Sequence, residues 1–108
     1  MKYVLLSADS DPSVYSVPDA VADNLYEYCM EFCGKWLPES PDAAEYRSGG
    51  CLAYHEGDFI KYLNKWVFPD EPSVLVETLD WSVIGEAING RGAPRLPEKY
   101  KGCEWFNF

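Results

Sequence analysis

The sequence predicts a single α+β domain over residues 1–108: a small, mostly antiparallel sheet with two or three helices packed on it. Two kinds of pattern carry that expectation. Short runs of strand formers open the chain and recur after Pro72, and two longer stretches repeat apolar residues at three- and four-residue steps. A third observation is continuity, because no repeat, low-complexity tract or Gly/Ser linker divides the chain. Surface scaling for 12.3 kDa gives roughly 6,100 Å² folded against roughly 17,800 Å² unfolded, so the chain can build a core without a staple.

Lys2 to Ala8 reads as a strand, Asp9 to Ser13 as a turn, and Val14 to Val17 as a returning strand of a hairpin. Pro18 opens a long helix with Asp19 and Asp23 near its positive end. Its stripe is Val21, Leu25, Tyr28, Cys29, Phe32 and Trp36, and Pro38 is expected to stop it. Ser40-Pro41-Asp42 then starts a short helix to about Arg47, with Ser40 as cap, and Ser48-Gly49-Gly50 closes it. Cys51 to Tyr54 is short and extended.

Another helix is expected from about Glu56 to Phe68, facing inward through Phe59, Ile60, Leu63, Trp66 and Val67. Pro69 to Pro72 ends it. Ser73 to Leu79 alternates as a strand, and Trp81 to Ile88 is expected to extend it or pair beside it. Asn89 to Pro97 is a loop. The tail from Tyr100 to Phe108 is aromatic enough that it should dock on the body.

Charge narrows function. The chain has 18 acids and 9 Lys and Arg, a net of −9. A nucleic-acid binder needs cations to displace phosphate counterions, and an anionic membrane surface needs them too. Both partners are therefore excluded from the expectation. At 47% hydrophobic and 16% aromatic, the chain is also unlike a disordered acidic tail. Through Asp58 there are 11 acids and 3 bases, whereas the remainder has 7 and 6. A solvated helix face explains part of this, and a surface that steers a basic partner explains the rest. Tyr26, Glu27, Tyr28, Glu31, Glu45 and Tyr46 are the candidate contact residues, because acids interleaved with tyrosines suit a protein interface.

The N-terminal apolar run is too short for a secretory signal and no stretch is long enough for a membrane span, so the expected compartment is the bacterial cytoplasm. Thiols stay reduced there. Cys29 and Cys33 are four apart on the long helix, and Cys51 and His55, the single histidine, are four apart beyond it. Two such pairs can supply four tetrahedral zinc ligands, with Cys103 as a reserve. Against this stand a core role for Cys29 and Cys33 and a helix-capping role for His55; a Cys29–Cys33 redox pair is a third option.

A closed shell of three Cys and one His leaves no position for water, so the expected zinc is structural. The chain carries no deaminase H-x-E with P-C-x-x-C, H-E-x-x-H, G-x-S-x-G, Walker or G-x-G-x-x-G motif. The pairs Asp9/Asp11 and Asp70/Glu71 sit in turns beside prolines, where turn chemistry explains them. The expectation is a non-enzyme, with a small zinc enzyme as the outlying alternative.

The opening Met1 to Asp9, the helix segment Leu25 to Cys33 and the tail Trp105 to Phe108 resemble small uncharacterised proteins of Gram-positive bacteria and their mobile elements. In being short, acidic and free of enzyme motifs, the chain also resembles anti-CRISPR proteins, some of which contain zinc. That second resemblance implies an inhibitor of phage or mobile-element origin that covers a basic nucleic-acid-handling protein such as a Cas nuclease. An immunity or antitoxin protein that neutralises a basic toxin would carry the same charge.

Overall fold

A computed structural model describes all residues, Met1–Phe108, and its accessible surface of 6174 Å² agrees with the size scaling. Strands β1 (Lys2–Ser7) and β2 (Ser13–Val17) form the expected antiparallel hairpin, with Val4 opposite Tyr15 and Leu5 opposite Val14. β5 (Val74–Thr78) adds to β2 antiparallel, with a bulge opposite Val14/Tyr15. β6 (Glu104–Asn107) adds to β1 in parallel, giving the order β5-β2-β1-β6. β3 (Arg47–Ser48) and β4 (Cys51–Leu52) form a separate hairpin, whose Gly49-Gly50 turn has φ of +55° and +83°. Two positive φ values in succession are the reason glycine occupies both places.

The long helix is segmented. α1 (Asp19–Asp23) ends where Asn24 leaves helical geometry at φ −137° and its side chain donates to the Ala20 carbonyl at 2.9 Å. α2 (Leu25–Glu31) runs into a π-helical turn, Phe32–Trp36, and then α3 (Leu37–Glu39). Pro38 therefore lies inside the last turn and does not stop the helix as expected. The Leu37 amide reaches back to the Phe32 carbonyl and the Ser40 amide bonds Trp36 at 2.9 Å, so the ladder steps over the missing proline N–H.

Pro41–Tyr46 is a 3₁₀ helix capped by Ser40, and Arg47 ties it back by donating to the carbonyls of Leu37 (2.6 Å) and Ser40 (2.8 Å). α4 (Glu56–Tyr62) also continues into a π-helical turn, Leu63–Val67.

Trp81 to Ile88 is not a strand. Asp80 accepts from the Ser82 amide at 2.8 Å and starts a 3₁₀ turn, Trp81–Val83, followed by α5 (Gly85–Ile88). This segment also covers the second face of the sheet. Val4, Leu6, Tyr15 and Val17 face α1, α2 and α4 in a cluster of 15 buried residues centred on Phe32 and Phe59. Leu5 and Val14 face the other way, onto Ile84 and Tyr100.

The tail docks as expected, and tightly. Ser7 is fully buried; its hydroxyl donates to Asn107 Oδ1 (2.7 Å) and accepts from Trp105 Nε1 (3.0 Å). Asn107 in turn donates to Asp9 Oδ1 (2.9 Å), and Phe108 packs on Phe32, Tyr54, Phe59 and Phe106. No helix is long and apolar enough to cross a membrane.

Candidate functional site

The π-helical turns decide what the surface shows. Bonding five residues back widens a turn by one residue, so the apolar stripe shifts phase at its end. After Phe32 the next fully buried position is Leu37, which leaves Trp36 only part-buried. After Leu63, Val67 packs on the core while Trp66 turns outward, 45% exposed. The expected inward role of Trp66 is thus corrected.

Both tryptophans open onto a cleft of about 560 Å³. Its aromatic floor is Trp36, Tyr46 and Tyr62, with ring centroids 4.9 Å apart for Trp36–Tyr62 and 6.1 Å for Trp36–Tyr46. Asp42 and Glu45 line one wall, held there by the 3₁₀ helix that Arg47 anchors. Lys61 and Lys65 line another, with Lys65 Nζ 5.0 Å over the Trp66 ring. Glu31 and Glu39 continue the acidic surface beside Trp36.

Electrostatically this wall is open. Glu27, Glu39, Asp42 and Glu45 take part in no ion pair, while Glu31 meets Lys35 only at 3.9 Å. Burial is the main force raising the pKa values of Tyr46 and Tyr62, with Asp58 and Glu45 adding to it at Tyr46 and Glu31 at Tyr62. Both phenols therefore stay neutral hydrogen-bonding groups.

Of the residues expected to contact a partner, the structure brings Glu45 and Tyr46 into this cleft and Glu31 beside it. Tyr26 and Tyr28 lie elsewhere: Tyr26 is 64% exposed near Phe106, and Tyr28 packs on Phe68. Glu27 is exposed on α2 between those flanks. Trp36, Asp42 and Trp66 were missed, and a proline one or two residues past the stripe (Pro38, Pro69) is the only sequence hint of the shifted phase.

The expected zinc ligands are placed apart in character and direction. Cys29 is fully buried in the large core, and burial pushes its thiol far above its ordinary range. Cys33 is part-buried beside the Tyr54 hydroxyl, with its pKa also raised by burial. Cys51 is exposed on β4. His55 caps α4: Nδ1 accepts from the Gly57 amide (3.0 Å), and the His55 amide donates to Asp58 Oδ2 (3.0 Å).

A Cβ on Gly57 would sit 2.7 Å from His55 Cε1, so the glycine makes room for the imidazole. Cys103 lies against the smaller core on the opposite face of the sheet. All four cysteines are free thiols, and no three His, Cys, Asp or Glu side chains are grouped to hold a metal ion.

A second cleft, of about 450 Å³, is lined by Tyr3 and Tyr100, whose rings meet edge to face, and by Lys2, Lys99 and Lys101. Each of these lysines has a carboxylate partner, Asp23, Glu77 and Glu98 respectively, so the cleft offers no free cation cluster.

Comparison with protein-family models, with curated proteins and with solved structures finds no match to this chain. Function rests on the chemistry of the cleft.

Proposed function

We propose that the protein is a non-enzymatic inhibitor that binds a basic, nucleic-acid-handling protein in the bacterial cytoplasm and keeps nucleic acid from loading, in the manner of an anti-CRISPR protein on a Cas nuclease. The observation that supports it is the set of carboxylates without an ion-pair partner, Asp42 and Glu45 in the cleft and Glu39 beside it, next to an aromatic floor and an exposed Trp66, with Lys61 and Lys65 also lining the cleft. Aromatic anchors beside desolvated charge are what concentrates binding energy at protein interfaces. An arginine from the partner can stack on Trp36 or Trp66 while its guanidinium meets Asp42 or Glu45. The remaining net charge speeds encounter and makes binding fall with salt.

Capture assays on a panel of basic nucleases and basic toxins at low and high salt test this. Binding that weakens with salt, and by roughly tenfold or more with Asp42→Lys and Glu45→Lys together, is expected. Absence of binding to every basic protein at low salt overturns the reading. Capture of a toxin, not a nuclease, reassigns the protein as an immunity factor.

No step of this reading runs through a metal. A structural zinc on Cys29, Cys33, Cys51 and His55 would take His55 out of its capping hydrogen bond with Gly57. Metal content of the purified protein decides it: one equivalent lost on Cys33→Ser with Cys51→Ser supports the site, and absent metal with a freely titrating Cys51 removes it.

A further inference from the structure

β5 is the end strand of the sheet and pairs only with β2, so its outer row of backbone N–H and C=O groups faces solvent. Its side chains do not hide that row. Val74, Leu75 and Val76 are 54%, 56% and 39% exposed, three successive apolar, mostly β-branched residues. Open edges of this kind are usually blunted by lysine, proline, a bulge or a covering element; Val74–Thr78 has no lysine or proline, and its one irregularity is the bulge at Val76 opposite Val14/Tyr15. The opposite end of the sheet differs, because α2 packs against β6 through Tyr26 and Phe106.

The edge is also tied down at both ends. Asn64 clamps its entry, donating to the Ser73 carbonyl (2.9 Å) and accepting from the Ser73 amide (2.6 Å). The Leu79 amide bonds the Pro12 carbonyl (2.7 Å) at its exit. A fixed strand with unpaired backbone groups is a template for strand addition with little ordering cost on its own side.

Charge selects the occupant. The segment Pro69–Asp80 carries Asp70, Glu71, Glu77 and Asp80 and no basic residue; Lys99 and Tyr100 engage Glu77, which leaves Asp70, Glu71 and Asp80 as the charges without an ion-pair partner. A second copy pairing antiparallel would bring Asp70 and Glu71 of one chain toward Asp80 of the other, between two bodies that each carry −9. We infer that β5 receives an extended, basic segment of the partner protein, paired edge to edge, with aliphatic side chains on Val74 to Val76 and cationic ones near the flanking acids. This rests on the inhibitor reading only for the basic character of the partner, and it adds a contact distinct from the aromatic cleft.

Amide hydrogen exchange followed by NMR tests it with three probe peptides of about eight residues, the span of an ordinary strand. The first alternates valine and arginine, the second alternates valine and glutamate, and the third is the first with alternate amides N-methylated. The inference expects the basic peptide to protect outward amides of β5. Affinity should fall by about tenfold or more on N-methylation, which keeps the charge and removes the pairing. Leu75→Lys, at a position 56% exposed, should weaken the basic peptide similarly with the far-ultraviolet spectrum unchanged, while Glu45→Lys should not.

Equal binding of the methylated peptide, protection only outside β5, or no binding at all overturns the inference. A free protein that dimerises with the same amides protected also overturns it, in favour of a second copy. If Glu45→Lys abolishes peptide binding and Leu75→Lys leaves it intact, strand pairing falls while the aromatic cleft stands.

Discussion

The two faces of the sheet are covered by unequal layers. On one side Val4, Leu6, Tyr15 and Val17 meet a helical layer whose buried cluster has 15 members. On the other, Leu5 and Val14 meet only Ile84 and Tyr100, ringed by part-buried residues such as Leu79, Val83 and Trp105. The thin layer leans instead on polar ties. The Arg95 amide bonds the Val83 carbonyl (2.8 Å), Arg95 pairs with Glu86 (2.7 Å), and Lys99 (2.8 Å) and the Tyr100 hydroxyl both meet Glu77. Where apolar area is scarce, a layer is held by a few directed contacts, and such contacts respond to pH and salt as buried area does not.

Phe32→Ala should produce the largest effect. Its ring packs on Trp36, Tyr54, Phe59, Tyr62 and Phe108, and its removal should cost about 3–5 kcal/mol in denaturant unfolding. Ile84→Ala should cost about 2–3 kcal/mol, since the part-exposed neighbours of the thin layer can settle into the space. Equal costs for the two would end the asymmetry. Thiol labelling under native conditions sharpens it. Cys103 of the thin layer should be modified at least about tenfold faster than Cys29, which should react only as the helical layer opens. Exposed Cys51 should react before either.

The smallest effect concerns Glu77. Hydrogen bonds from Lys99 and then Tyr100 hold its carboxyl below the ordinary range near 4.5. The folded value is the lower one, so this contribution is present above the unfolded pKa and is lost as pH falls through the folded value. Glu77→Gln should therefore lower the melting temperature at neutral pH and have little effect in acid well below pH 4.5. Equal shifts at both pH values would show that the tie is not ionic.

The elements legible in the sequence are those whose cause is local. The β1–β2 hairpin shows its runs of strand formers and its turn residues, and the Ser40 cap and the start of α4 show their end residues. Two regions were not legible for physical reasons. Trp81 to Ile88 is a short apolar run with no period long enough to separate strand from helix, and one bond from the Ser82 amide to Asp80 tips it. The π-helical turns shift the stripe without changing residue types, so Trp66 reads as core and instead turns out to the cleft, while Trp36 packs on the core and lines the cleft as well.

The candidate face was half visible for the same reason. Glu45 and Tyr46 stand out as exposed acid and aromatic, but the tryptophans that make a floor for them do not. At the cysteines, four-residue spacing placed Cys29 and Cys33 one turn apart, yet Cys29 sits in line with Leu25 and Phe32, and that stripe decides its direction.

The pairing of β1 with β6 has a consequence in time. The contact from Ser7 to Asn107 joins residues 100 apart, whereas the β1–β2 hairpin closes over a short turn. Local pairs form early and distant ones late, because the long loop must close before any contact rewards it. Refolding should thus pass from a formed hairpin to a slow final step in which Trp105, Asn107 and Phe108 arrive together. The part-buried Trp105–Ser7 hydrogen bond places a fluorophore at that last event, so in a variant with the other three tryptophans replaced its emission should lag behind the far-ultraviolet signal of the helices.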